Sequence, residues 1–349
     1  MKLFRCDHCG NTLYFDNVAC QNCGHRLGFD PVSCDLLSLD ADDAVWNSPA
    51  VPGRSFVFCA NAADGACNWL IEATPGGPVY CDACRHNEVI PAMTAPENLV
   101  RWQTIERAKH RLFYSLIRFG LPRETRGENP AHGLSFRFLA DLDPMPVMTG
   151  HEGGIITIAL AEADDAERER RRAGMHEPYR TLLGHFRHEI AHHYWDLLVD
   201  RSARLEEFRA LFGDERTDYA AALQAHYASG ARPDWQQPFV SAYASAHPWE
   251  DFAETWAHYM HITDTAETAA AYGLVVRPSV DQSGDLTARV SFDPYANRDI
   301  GLLVDTWVPL ASLLNNLNRS MGLADAYPFV LTPPVIKKLA FVQRVIHRD

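Results

Sequence analysis

Eight of the nine cysteines fall into two sets of four, and their spacing constrains the N-terminal part of the fold more tightly than composition does. Cys6 and Cys9, then Cys20 and Cys23, form two CxxC pairs with ten residues between them. Four thiolates so spaced close a tetrahedral zinc site. Gly10 and Gly24 each follow a pair by one residue, where a small residue lets the backbone turn tightly toward sulfur. With all four positions filled by sulfur the ion is structural, supplying folding energy to a segment too short to build its own core. Cys59, Cys67, Cys81 and Cys84 repeat the chemistry at looser spacing. Asn61, Asp64 and Gly65 suit the turn between the first two, which predicts a second structural zinc site. Cys34 is left over and reads as a small buried hydrophobe; His8, His25 and His86 are substitute ligands that read as solvated. Between the sets, Asp35–Pro52 reads as an acidic connection with no need to pack tightly.

A second constraint lies in Gly184–Asp196, GHFRHEIAHHYWD. Leu182, Phe186, Ile190, His193 and Leu197 recur at close to helical spacing, so the segment from about Tyr179 to Val199 is predicted to be an amphipathic helix buried along one side. On it His188 and His192, four apart, share a face and can present imidazole nitrogens to one zinc ion. Glu189 can reach the open position of that ion and take the proton of a water there. Among 16 histidines the bare pattern needs a further ligand to mean anything. The stretch Pro248–His258 supplies a second helix with Glu250 and Glu254 four apart, one able to bind metal and the other to orient a ligand imidazole. His247, Asp251, His258 and His261 compete for the place of third ligand, while His193 and Trp195 read as packing residues.

Elsewhere the chain reads as α+β. One apolar face, including Leu99, Trp102, Ile105, Leu112 and Leu116, predicts a helix from Pro96 to Gly120; Ser135–Ala140 and Gly153–Leu160 read as strands. Ala203–Phe212, Asp218–Ala228, Ile300–Met321 and Val335–Ile346 read as helices, and Glu162–Arg172 as a solvated linker or helix face. The expected domains are a zinc ribbon at 1–30, a second ribbon-like module with its linker at 31–92, and a mainly helical domain with a small sheet at 93–349. With 349 residues, 47% of them hydrophobic, a sizeable core is available. A net charge of −13, with five Lys/Arg against eleven Asp/Glu before Pro96, weighs against nucleic acid and anionic lipid as partners. No apolar run approaches the about 20 residues of a membrane span, and the first residues lack the apolar core of a signal peptide. A cytoplasmic location is expected, and cysteines spaced as metal thiolates fit it.

The two helices resemble those of zincin metallopeptidases. The metzincin pattern wants a histidine six residues after His192, where this chain has Leu198. In gluzincins the ligand glutamate is followed four residues later by an acid that hydrogen-bonds a ligand histidine, a likeness that implies Glu250 as metal ligand and Glu254 as its orienting partner. Tyr243, seven residues before Glu250, resembles the catalytic tyrosine of the anthrax lethal factor catalytic domain and is implied as an oxyanion donor. More closely, FRHEIAHHYWD and YASAHPWEDFAETWAHYMH, joined to N-terminal zinc ribbons, resemble the bacterial family of zinc-binding metallopeptidases with an N-terminal zinc-ribbon domain. The resemblance implies a zincin-like fold, with the strand before the metal helix as a sheet edge for an extended substrate. It also implies a zinc peptidase acting on protein or peptide: Glu189 as base, one catalytic zinc on His188, His192 and Glu250, and two structural zincs. The alternatives are a non-catalytic zinc-ribbon adaptor and a DNA-associated protease. A three-ligand site with an adjacent glutamate favours the enzyme, because structural zinc fills its fourth position with protein.

Overall fold

Each CxxC pair closes as its spacing predicts. Gly10 and Gly24 take φ of 76° and 77°, and their amides donate to the carbonyls of Cys6 and Cys20, both at 2.8 Å. That left-handed conformation is open to glycine without Cβ strain. The computed structural model describes residues 1–141, 147–168, 170 and 181–348, and the chain divides into two units, Met1–Glu167 and Arg168–Asp349. The expected Tyr179 at the head of the metal helix, and Glu169, Arg171 and Arg172 of the charged run, lie outside the described residues.

In the first unit, β1 (Phe4–Arg5) and β2 (Thr12–Leu13) pair antiparallel on either side of Cys6 and Cys9. The stretch expected to be a loose acidic connection is sheet instead. β3 (Arg26–Asp30), β4 (Asp35–Asp42), β5 (Val45–Asn47), β6 (Ser55–Phe58) and β7 (Leu70–Glu72) form a five-stranded antiparallel sheet in sequence order. The physical reason is that Leu37 and Leu39 bury with Phe56 and Leu70, while the acids that dominate the composition, Asp40, Asp42 and Asp43, stay at the exposed end. Cys34, expected to be buried, is half-exposed in the turn between β3 and β4 with φ 51°. His86, expected to be solvated, is buried against Phe113, its Nε2 donating to the Arg123 carbonyl at 3.0 Å, and burial pulls its imidazole down to about 4.

The long helix α1 spans Pro96–Arg118, with Pro96 at its first position, where a missing N–H costs nothing. β8 (Asn87–Val89), β9 (Ser135–Leu139), β10 (Gly150–Glu152) and β11 (Ile155–Ala159) make a four-stranded sheet in the order β10-β11-β9-β8. One expectation changes here. β11 lies between β10 and β9 and so is not an edge for a substrate strand. β8 pairs with β9 across residues 92/93, and the compact unit that holds both strands is Met1–Glu167. Phe29 of β3 ties the cysteine-rich segments to α1: it is fully buried, 4.9 Å from Phe15, 4.8 Å from Trp69 and 6.2 Å from Tyr114, centroid to centroid.

The second unit is helical: α2 (Leu182–Leu198), α3 (Leu205–Phe212), α4 (Tyr219–Ser229), α5 (Pro248–Ala271), α6 (Ile300–Ser320) and α7 (Pro333–His347), with a small hairpin of β12 (Val275–Val276) and β13 (Ala288–Arg289). α5 is central. Trp256 stacks on Tyr194 of α2 at 5.2 Å, and Phe252 meets Phe208 and Phe212 of α3 and Phe341 of α7 at 6.0, 5.8 and 6.4 Å. α6 corrects another expectation: with 21 residues and an 18-residue stretch of mean hydropathy 1.3, it is by length and composition long and apolar enough to cross a membrane. The sequence reads this stretch as an amphipathic helix whose apolar run is interrupted by Asp305, Pro309, Asn315, Asn316 and Asn318. In this unit Leu303, Trp307 and Leu310 of α6 are buried.

Phe29→Ala should destabilise the first unit by about 3–5 kcal/mol, the range for removing a fully buried phenylalanine. Urea unfolding followed by tryptophan fluorescence measures it; a loss below about 1 kcal/mol would show that the aromatic cluster is not what joins these segments.

Candidate metal centres

α2 starts where Thr181 caps it, its Oγ1 accepting from the Gly184 amide at 2.9 Å. α5 starts at His247, whose Nδ1 accepts from the Trp249 amide at 3.1 Å, followed by Pro248. This start places Glu250 in the first turn, where the N-terminal dipole favours a negative charge. Where the two helices pack, His188, His192 and Glu250 come together, with one donor atom from each within 4.8 Å of the others. His188 Nε2 is 2.9 Å from Glu250 Oε2, and His192 Nε2 is 3.7 Å from Oε1. The opposite nitrogen of His188, Nδ1, donates to Glu254 Oε1 at 2.8 Å, and Glu254 Oε2 accepts from Ser241 Oγ at 2.6 Å. Two imidazoles and a carboxylate, largely buried and with one ring held from behind by a second carboxylate, make a donor set that suits a divalent ion.

Electrostatics follow from this packing. Burial pushes the Glu250 carboxyl up, but the His192 and His188 imidazoles and the Tyr219 hydroxyl bring it down to about 2. Burial pushes His188 down, and Glu250 and Glu254 more than reverse it. Glu189, on the same helix as the two histidines, is almost buried. Tyr243 lies in the 3-10 turn Tyr243–Ser245, its ring 5.8 Å from that of His188. Burial and then the charge of Glu250 raise the phenols of both Tyr243 and Tyr219, and Glu189 adds to this in each. Tyr219 and Ser241 escaped the sequence reading, since neither lies at a motif position.

The competing ligands point elsewhere. His247 Nε2 donates to the Thr217 carbonyl at 3.1 Å, Asp251 pairs with Lys338 of α7, His258 Nδ1 is 2.7 Å from the Tyr327 hydroxyl, and His261 Nδ1 is 2.6 Å from Arg187 Nη1. His193 and Trp195 are buried, as packing residues should be.

The model of the family described as "Putative zinc-binding metallo-peptidase" matches residues 98–345, and that of a zinc-ribbon domain matches residues 3–95. The chain belongs to this family of zinc-binding metallo-peptidases. Uncharacterized proteins of Mycobacterium bovis and of two Mycobacterium tuberculosis strains are 42% identical to it over 347 residues, covering 99% of this chain and 95% of theirs. No solved structure matches it.

The zinc-ribbon region of this family member carries both four-cysteine sets. Cys6 Sγ lies 3.7 Å from Cys23 Sγ, Cys9 Sγ 3.6 Å from Cys20 Sγ, and Cys67 Sγ 3.8 Å from Cys81 Sγ. Tetrahedral zinc with Zn–S bonds of about 2.3 Å sets sulfurs about 3.8 Å apart, so both sets fit the ion. Their surroundings differ. Cys9 is exposed and Cys23 half-buried, whereas Cys59, Cys67, Cys81 and Cys84 are all buried. The second set has companions on α1 that spacing did not reveal: His110 Nε2 is 3.3 Å from Cys67 Sγ and 3.5 Å from Cys84 Sγ, and Glu106 Oε2 is 3.7 Å from Cys84 Sγ. Glu106 is in turn paired with the fully buried Lys109 at 2.9 Å.

This difference predicts an order of reaction. When a chelator and a thiol-alkylating reagent are applied together to the folded protein, Cys9 and Cys23 should be modified well before any of Cys59, Cys67, Cys81 and Cys84. Peptide mapping by mass spectrometry over time reads the order, and simultaneous modification of both sets would contradict it.

Proposed function

We propose that the chain is a zinc-dependent peptidase of the HExxH gluzincin type, hydrolysing peptide bonds in a protein or peptide substrate. The observation that carries this reading is the convergence of His188, His192 and Glu250 with Glu254 on the far nitrogen of His188. In this reading the first three residues hold the ion, and Glu254, steadied by Ser241, fixes the tautomer and orientation of His188. When bound there, zinc supplies an acidified water and a polarised substrate carbonyl. Glu189 accepts the proton of that water and returns it to the leaving amine. Tyr243 donates its hydroxyl to the carbonyl oxygen as negative charge develops on it, which its place beside His188 supports.

The two four-cysteine sets hold structural zinc and form a structural or protein-recognition module. Reliance on free thiols favours a reducing compartment, so we place the protein in the cytoplasm. The acidic balance of the ribbon region favours protein partners over nucleic acid.

With one ion per site, purified protein should contain about three zinc ions per chain by elemental analysis. Glu250→Gln should lose the ion of the second unit and keep those of the ribbons. Glu254→Gln should weaken its affinity by about 10–100-fold, the range for an outer partner of a ligand histidine.

Cleavage of an unbiased peptide library tests the activity itself. Glu189→Gln should keep full zinc content and lose cleavage, because Glu189 moves the proton without binding the ion. Tyr243→Phe should keep zinc and lower turnover by about 10²–10³-fold. Equal cleavage by wild type and Glu189→Gln would sink the peptidase reading and leave the zinc-ribbon adaptor as the better account.

A further inference from the structure

The motifs name two histidines and three glutamates, but not the residue that touches the third ligand from its other side. The Tyr219 hydroxyl donates to Glu250 Oε1 at 2.6 Å, while Oε2 of the same carboxylate faces His188 Nε2 at 2.9 Å. Tyr219 is the first residue of α4, a helix that buries none of its own side chains. Even so, the start of that helix is held in place. Asp218 caps it, accepting from the Ala221 amide at 3.0 Å, and the carbonyl of Thr217, one residue earlier, accepts from His247 Nε2 at 3.1 Å. The Tyr219 ring packs edge-on against His247 at 5.2 Å and Trp249 at 5.8 Å, the cap and the second residue of α5. The phenol is therefore braced by the helix start that carries Glu250, and its hydroxyl is aimed at one oxygen of that residue.

We propose that Tyr219 is a positioning residue that makes Glu250 a one-oxygen ligand, holding Oε1 by hydrogen bond and leaving Oε2, the oxygen beside His188, to face the ion. This rests on the reading of His188, His192 and Glu250 as zinc ligands. A carboxylate can bind a cation through one oxygen or through both, and the second mode fills a position that water needs. A donor on one oxygen favours the first mode and fixes the plane of the carboxylate. Tyr219 thereby keeps a coordination position open for water, a task no residue of the HExxH segment performs. Tyr219 as a residue is 38% exposed, so its replacement by phenylalanine removes the hydroxyl without opening a cavity.

The test uses the full-length wild type, Tyr219→Phe and Glu250→Gln. Zinc affinity is measured by chelator competition, and the visible spectrum is recorded after loading with Co²⁺. Subtracting the Glu250→Gln spectrum removes the contribution of the cysteine sites. Tyr219→Phe should weaken zinc binding at this site by about 10–100-fold. Its Co²⁺ difference spectrum should lose intensity, as expected when a second carboxylate oxygen raises the coordination number. Unchanged affinity together with an unchanged spectrum overturns the proposal. Were turnover to fall in that case, Tyr219 would instead be a group that touches the reacting atoms. Identical ion content and spectra in wild type and Glu250→Gln would refute the ligand reading itself, and the proposal with it.

Discussion

The candidate active site depends on how α2 is joined to α5, because His188, Glu189 and His192 come from one helix and Glu250 and Glu254 from the other. The join is polar as well as apolar. Beside the Tyr194–Trp256 stack, Arg187 is buried and grips α5 with both ends of its guanidinium, Nη2 to Asp264 at 2.8 Å and Nη1 to His261 at 2.6 Å. A planar fork with two fixed partners sets both the rotation of the helices about their axes and their register, which apolar stacking alone leaves loose. Arg187 immediately precedes His188. The same turn of α2 that is clamped to α5 therefore presents the first metal-facing imidazole, and the ring lands between Glu250 and Glu254.

This also explains why α5 is so rich in competing ligands. Of its 24 residues 15 are buried, among them Glu250, Asp251, His258 and Glu267, so it is polar in composition and interior in position. A buried polar side chain is tolerated where it has a partner. Asp251 has Lys338, His258 has Tyr327 and His261 has Arg187, each a pair that ties α5 to a different part of the unit. Glu250 and Glu254 differ in that both turn to the same imidazole, a carboxylate on either side of one ring. Structural and metal-facing groups on one helix are thus separated by what they face, not by residue type.

What the sequence revealed followed from how local the signal was. The CxxC pairs with their glycines, the HExxH helix, α1 and the acidic pair four apart are patterns within about one to six helical or strand turns, and each reappears in the structure. The β-sheet inside Asp35–Pro52 was hidden because the exposed acids dominate the composition, while Leu37 and Leu39 find their partners, Phe56 and Leu70, well downstream. Distance in sequence likewise hid Ser241 and Tyr219, 13 and 31 residues from the carboxylates they hold. Nothing in the alternation around either residue marks it. A hydroxyl earns its place here only once two helices have fixed the carboxylate it meets.

The two cysteine sites show the same logic applied to charge. Zinc held by four thiolates carries roughly two net negative charges, which water can solvate at an exposed site and protein must balance at a buried one. The first set keeps Cys9 at the surface and needs no more than its own loops. The second is wholly buried, and α1 supplies what water would: the His110 imidazole against Cys67 and Cys84, and the Lys109 ammonium one residue away. Glu106 adds a negative charge of its own to that pocket, yet it also orients Lys109, accepts from Asn87 and Trp102, and so fixes the helix against the sulfurs. A ribbon ending before Pro96 would leave those thiolates without counter-charges. α1, which composition assigns to the following domain, therefore packs on the second cysteine set, and both lie in the first unit, Met1–Glu167.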